Sequence, residues 1–109
     1  MLFRKKNKEQ NKEYLLTSFE RLRNVIVASK DELLDLASIV KDDRALLANF
    51  EKLSLDDANY MLTFLAGVVY ALNGEVHKTG VKTFLFASGA SYEDGTLKQY
   101  IIERHSNNE

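Results

Sequence analysis

Apolar side chains recur along this chain in two rhythms, every third or fourth position in some stretches and in short unbroken or alternating runs in others. The strongest helical rhythm follows Ser54: Ala58, Met61, Leu62, Leu65, Val69 and Leu72 share one face, which suits a helix laid on a sheet. Ser54 is placed to cap its start, with Asp56 and Asp57 where the helix dipole favours negative charge. Asn73-Gly74 tolerates the positive φ that a C-terminal cap requires, so the helix should span Leu55 to about Gly74. It carries no charged residue from Ala58 to Gly74. Tyr60, Phe64, Gly67 and Ala71 repeat the same spacing on another side, and an apolar belt this wide exceeds what a lone surface helix on a small domain can leave uncovered. The pattern therefore predicts a second polypeptide against this side, most simply another copy of the chain. Gly67 costs about 1 kcal/mol relative to Ala in mid-helix, which close approach of a neighbouring backbone would explain. The run lies at the lower limit of the roughly 17 to 25 residues that span a bilayer. A span is rejected because Asn59, Tyr60, Thr63, Tyr70 and two glycines thin its apolar content and no basic flank adjoins it.

The remaining elements are read from the same two rhythms. Tyr14, Leu15, Phe19 and Leu22 predict a short amphipathic helix over Glu13–Leu22. Asn24 to Ala28 is apolar on both parities, as in a strand covered on both faces. Ser29 and Glu32 form a capping box ahead of Leu33, Leu36, Ala37 and Val40, a helix that ends at Lys41-Asp42-Asp43. Ala45 to Phe50 is a second strand, and two strands separated by such a helix run parallel through a right-handed crossover. Glu75–Thr79 and Lys82–Ala87 predict a hairpin turning at Thr79-Gly80. Ser88-Gly89-Ala90 follows as a loop, Tyr92 opens a short edge strand, and Thr96 to Arg104 is helical. The expected fold is an α/β two-layer sandwich, with a mixed sheet of about four to five strands in the order strand-helix-strand-helix-strand-strand and the helices largely on one face. Its parts are a basic N-terminal segment and short helix over 1–23, the α/β domain over 24–104 and a disordered tail over 105–109.

Composition narrows the function more than it names it. With 109 residues and 45% hydrophobic content, one domain with a small core is expected, which a dimer would enlarge. A net charge of -1 gives no general case for nucleic acid or for an acidic substrate. The absence of cysteine excludes disulfides, thiol nucleophiles and cysteine metal sites, and no signal-peptide pattern follows the basic start, so a cytosolic location is expected. Met1, Leu2 and Phe3 followed by Arg4, Lys5 and Lys6 could press an apolar tip and a basic cluster into an anionic membrane surface; a frayed basic terminus is the other reading. His77 and His105 lack partners at metal-ligand spacing, and Asp42-Asp43 and Asp56-Asp57 sit where helices end or begin, so neither metal, cofactor nor catalysis is expected. What remains is a binding surface. A hairpin offering Phe84, with Lys78 across from it, could hold a short peptide carrying apolar residues and an acid; alternatively Phe84 is simply core.

The run Thr63-Phe64-Leu65-Ala66-Gly67-Val68-Val69-Tyr70-Ala71-Leu72-Asn73-Gly74-Glu75-Val76-His77-Lys78, followed by Thr83-Phe84-Leu85-Phe86, resembles the core of the SepF family of bacterial cell-division proteins. The likeness extends upstream through Arg44–Phe50 and Asp57-Ala58 and covers about three quarters of the chain. It implies a non-enzymatic cytoplasmic homodimer that binds the C-terminal tail of the tubulin-like protein FtsZ and aligns or tethers its filaments at the division septum, on the inner face of the membrane. By matching position, Lys78 and Phe84 fall in the family's peptide pocket and Gly67 at its subunit contact; Phe86, on the same strand face as Phe84, joins the expected partner-binding set, and Tyr60, Phe64 and Ala71, at helical spacing with Gly67, join the expected assembly surface. Two alternatives stay open. One is a small dimeric regulatory domain that binds a metabolite. The other is a degenerate relative without filament binding, since Tyr60 and Thr63 stand where the family usually places a basic and an acidic residue.

Overall fold

The computed structural model describes residues 16–107. Four strands, β1 (Arg23–Ile26), β2 (Leu46–Asn49), β3 (Glu75–Gly80) and β4 (Thr83–Ala87), form one sheet in the order β1-β2-β4-β3. β1 and β2 are parallel, as a strand-helix-strand unit requires, while β4 runs antiparallel to both its neighbours. Three helices complete the fold: α1 (Leu33–Lys41), α2 (Leu55–Ala71) and α3 (Thr96–Asn107). The expected element order and mixed sheet are therefore present, with four strands.

Alternation along β4 divides the interior in two. Phe84 and Phe86 turn to the side where Leu46 and Ala48 meet Leu36 and Val40 of α1 and Met61, Leu65 and Val69 of α2. Leu85 and Ala87 turn to the other side and bury Ala45, Leu97 and Ile101 with them. The second side is thus covered by α3, and the two-layer expectation is corrected to a sheet with helices on both faces. The sequence pattern of this terminal helix is short and polar-rich and does not say which face it covers.

Local chemistry sets the boundaries. Ser29 accepts from the Asp31 N–H while Glu32 reaches back to the Ser29 N–H at 2.9 Å, and a single 3₁₀ turn leads into α1. Ser54 accepts from the Asp57 N–H at 3.1 Å to start α2. The helix closes with the Asn73 N–H on the Tyr70 carbonyl, the Gly74 N–H on the Val69 carbonyl, and Asn73 left-handed at φ +57°.

Five further expectations are corrected. β1 is an edge strand: Val25 and Val27 enter the first core, but Ile26 is 54% exposed because α3 packs over β3 at the opposite edge of the sheet. Of the helix expected over Glu13–Leu22, residues 13–15 lie outside the described residues and the rest makes one turn. Thr17 and Glu20 cap each other there, and Asp94 and Thr96 accept the Ser18 and Phe19 N–H groups, which anchors the turn instead of propagating it. Tyr92 closes a 3₁₀ turn and adds no strand. The hairpin turns at Val81-Lys82, not at Thr79-Gly80, because Gly80 still pairs with Thr83. At the C-terminus α3 continues to Asn107, past Arg104 and into the tail expected to be disordered; residues 108 and 109 lie outside the described residues.

Candidate functional site

An apolar groove lies between the hairpin tip and the first turns of α2. Phe50, Leu53, Leu55, Ala58, Asn59, Leu62, Val81, Lys82 and Phe84 line a groove of about 190 Å³. The hairpin places Phe84 in its wall, and two other rings hold it there: Phe50 at 6.0 Å and Phe86 at 6.4 Å between centroids. The Phe50 N–H donates to the Lys82 carbonyl at 2.8 Å, which ties the end of β2 to the hairpin turn and fixes the groove's end.

Lys78 and Phe84 are direct cross-strand partners, so they share a face, with Lys78 exposed on the outermost strand. The two residues expected to act together are therefore adjacent. Phe86 is not beside them on the surface. It is fully buried beneath the helices and supports Phe84 from within. Phe84 combines both readings offered by the sequence, since it packs against the core and remains partly exposed.

Sequence reasoning missed Leu55, Leu62 and Val81 as groove residues. Leu55 and Val81 are 72% and 87% exposed, and each carried a signal. Val81 is an apolar residue in a two-residue turn, where polar or glycine positions are usual, and Leu55 falls off the buried stripe of α2.

A second surface runs along α2. Tyr60 (56% exposed), Phe64 (40%), Gly67 and Ala71 all face outward on one stripe, joined by Leu34 of α1, which is 70% exposed. Lys30, Leu34, Tyr60 and Phe64 border a wide cleft of about 520 Å³ between the two helices. A Cβ built at Gly67 would meet nothing within 4 Å among the described residues, so no contact among them calls for glycine there.

The polar groups near β3 organise structure. Glu75 accepts two hydrogen bonds from Lys98 Nζ, at 2.7 and 2.9 Å, and meets His77 Nε2 at 2.7 Å; Lys98, then His77, hold its carboxyl below the usual range. The Tyr92 hydroxyl donates to the Glu75 carbonyl at 3.0 Å, and burial, with help from the Glu75 charge, pushes its pKa up. Among the described residues, no group of three or more histidines and carboxylates is arranged to hold a metal, and no helix is long and apolar enough to cross a membrane. Met1 to Lys6, the candidate membrane contact, lie outside the described residues.

Comparison with known proteins adds a family to this geometry. Residues 25–90 match the family model described as cell division protein SepF. Similar curated proteins with that same description come from Bacillus licheniformis, 32% identical over 74 residues that cover 68% of this chain and 49% of the relative, and from Lacticaseibacillus casei, 34% identical over 67 residues that cover 62% and 44%. A third, from Pelotomaculum thermopropionicum, is 34% identical over 85 residues, covering 76% and 57%. The chain spans about half the length of the curated relatives it matches.

Proposed function

The chain belongs to the SepF family of cell division proteins, and on that premise we propose that it is an adaptor that takes the C-terminal tail of FtsZ into the groove beside Phe84. The observation that carries this reading is the pairing of a preformed apolar groove with a cation on the same face: Phe84 and Val81 offer contact to apolar residues of an extended peptide, while Lys78 and Lys82 suit an acidic one. Through two such sites the protein would align FtsZ filaments or tether them at the division septum, with Met1, Leu2, Phe3, Arg4, Lys5 and Lys6 available to touch the inner face of the membrane. Nothing in this role involves bond making or breaking.

The test is tail-peptide binding to immobilised protein. Phe84→Ala with Lys78→Glu removes the groove wall and reverses the charge beside it, and the affinity should fall about thirtyfold or more, as expected for a buried aromatic anchor and its cation. Undiminished binding would place the tail elsewhere. Thermal stabilisation by small metabolites but not by the peptide would instead favour a ligand-binding regulatory domain.

The stripe Tyr60, Phe64, Gly67 and Ala71 supports self-association through α2 as part of the same proposal. Gly67→Lys would set a long charged side chain in a close helix contact and should shift the protein to monomer in light scattering. Because that position is open among the described residues, the fold itself should survive, and an unchanged mass would sink the helix-to-helix arrangement.

A further inference from the structure

The pairing of β3 with β4 contains an irregularity on which the proposed tail site depends. Glu75, Val76, His77 and Lys78 oppose Ala87, Phe86, Leu85 and Phe84 one for one, but Gly80 opposes Thr83, so Thr79 is an extra residue in β3. Side chains alternate along a strand, and a register shifted by one residue turns every side chain of that strand to the other face. Were the bulge removed by continuing the Gly80–Thr83 register, Thr79 would oppose Phe84 and Lys78 would oppose Leu85, which points into the opposite core beneath α3. The bulge thus decides whether Lys78 or Thr79 stands beside Phe84.

The bulge is costly by itself. Thr79 is 3% exposed and its hydroxyl is buried without a hydrogen-bond partner. The displaced carbonyl of Thr79, however, is met by the guanidinium of Arg104 from α3, with Nε donating at 3.2 Å and Nη2 at 2.6 Å. These are charge-assisted bonds aimed at the one residue of β3 that the ladder leaves over. At the other end of the strand, Lys98 and Tyr92 hold Glu75 from the same side. α3 therefore runs as a splint beneath the edge strand, fastened at its first residue and at its bulge.

We propose that Arg104 is a positioning residue that locks the bulged register of the hairpin and so keeps Lys78 on the face of Phe84. The consequence for binding rests on the tail-binding reading; the register lock does not. Arg104 itself lies on the α3 side of the sheet and has no place in the groove lining.

The experiment compares wild type, Arg104→Ala and Arg104→Lys for two properties. Cross-strand backbone nuclear Overhauser contacts report which residue opposes Phe84, and titration with an FtsZ tail peptide reports affinity. In Arg104→Ala the Lys78–Phe84 contact should weaken in favour of Thr79–Phe84, and the affinity should fall about tenfold. Arg104→Lys keeps the charge but offers a single compact donor in place of two aligned N–H groups, and should recover both properties in part. An Arg104→Ala protein that keeps Lys78 opposite Phe84 overturns the lock, whatever its affinity. A lost register with unchanged affinity leaves the lock standing and overturns the placement of the tail beside Lys78. If Arg104→Ala does not fold, Arg104→Lys decides alone, because a wild-type register combined with a fall in affinity would show that Arg104 acts on binding by another route and overturn the proposal.

Discussion

Gly74→Ala should be among the most damaging single substitutions in this protein, although it adds one methyl group. A Cβ at that position would lie 1.9 Å from the Ala87 carbonyl oxygen, 2.8 Å from the Ser88 Cα and 2.9 Å from the Ala87 carbonyl carbon. All three are backbone atoms, so no side-chain rotation relieves the clash; either the end of α2 or the end of β4 has to move. β4 is the strand through which both cores are built, since its two faces bury Phe86 and Leu85 on opposite sides. A cost of about 3 kcal/mol or more is expected, the upper part of the range for overpacking, read as a lower urea midpoint. The glycine is kept by space alone, because the left-handed residue of this cap is Asn73. Gly67→Ala provides the contrast within the same protein: its Cβ meets nothing, and the change should raise the stability of the protomer by up to about 1 kcal/mol. A Gly74→Ala midpoint equal to wild type would mean that the junction is far more compliant than its contacts indicate.

Phe86→Ala should cost about 3–5 kcal/mol, as expected for deleting a fully buried aromatic ring. Against a total stability of about 5–15 kcal/mol for a domain, such a loss leaves little margin. Phe86 lies between β2 and β3, touches the Phe50 ring at 6.3 Å between centroids and carries Phe84 on its flank, so no neighbouring element can collapse into the space without opening the groove. Phe84→Ala should show the reverse weighting. Its ring is partly exposed, so its removal should destabilise less while weakening the tail contact more. Calorimetric melts of the two variants, set beside peptide titrations, separate the supporting ring from the contacting one; equal melting temperatures would refute that division.

These two phenylalanines also show where the sequence stopped being legible. Period-two alternation places Phe84 and Phe86 on one face of β4, as the structure has them, but alternation gives only the face of a strand and says nothing about how far along it the covering helix reaches. α2 and α1 close over Phe86 and leave Phe84 at the margin. The edge position of β1 was hidden for a similar reason. An apolar run reads as covered on both sides, while its place in the order β1-β2-β4-β3 depends on which strands pair, a fact settled by contacts distant in sequence. The Thr79 bulge and its Arg104 partner are 25 residues apart and left no local pattern at all.

The sequence by itself determined the elements and their order: the capped start of α2 at Ser54, its end at Asn73-Gly74, the capping box before α1 and the outward stripe from Tyr60 to Ala71 all follow from interactions within a few residues of one another. Only the tertiary structure decided that α3 covers the second face of the sheet, that Phe86 is buried while Phe84 borders a groove, and that Lys78 shares the face of Phe84. Those outcomes depend on register and on the reach of one element over another, and both are set by close packing between segments that are far apart along the chain.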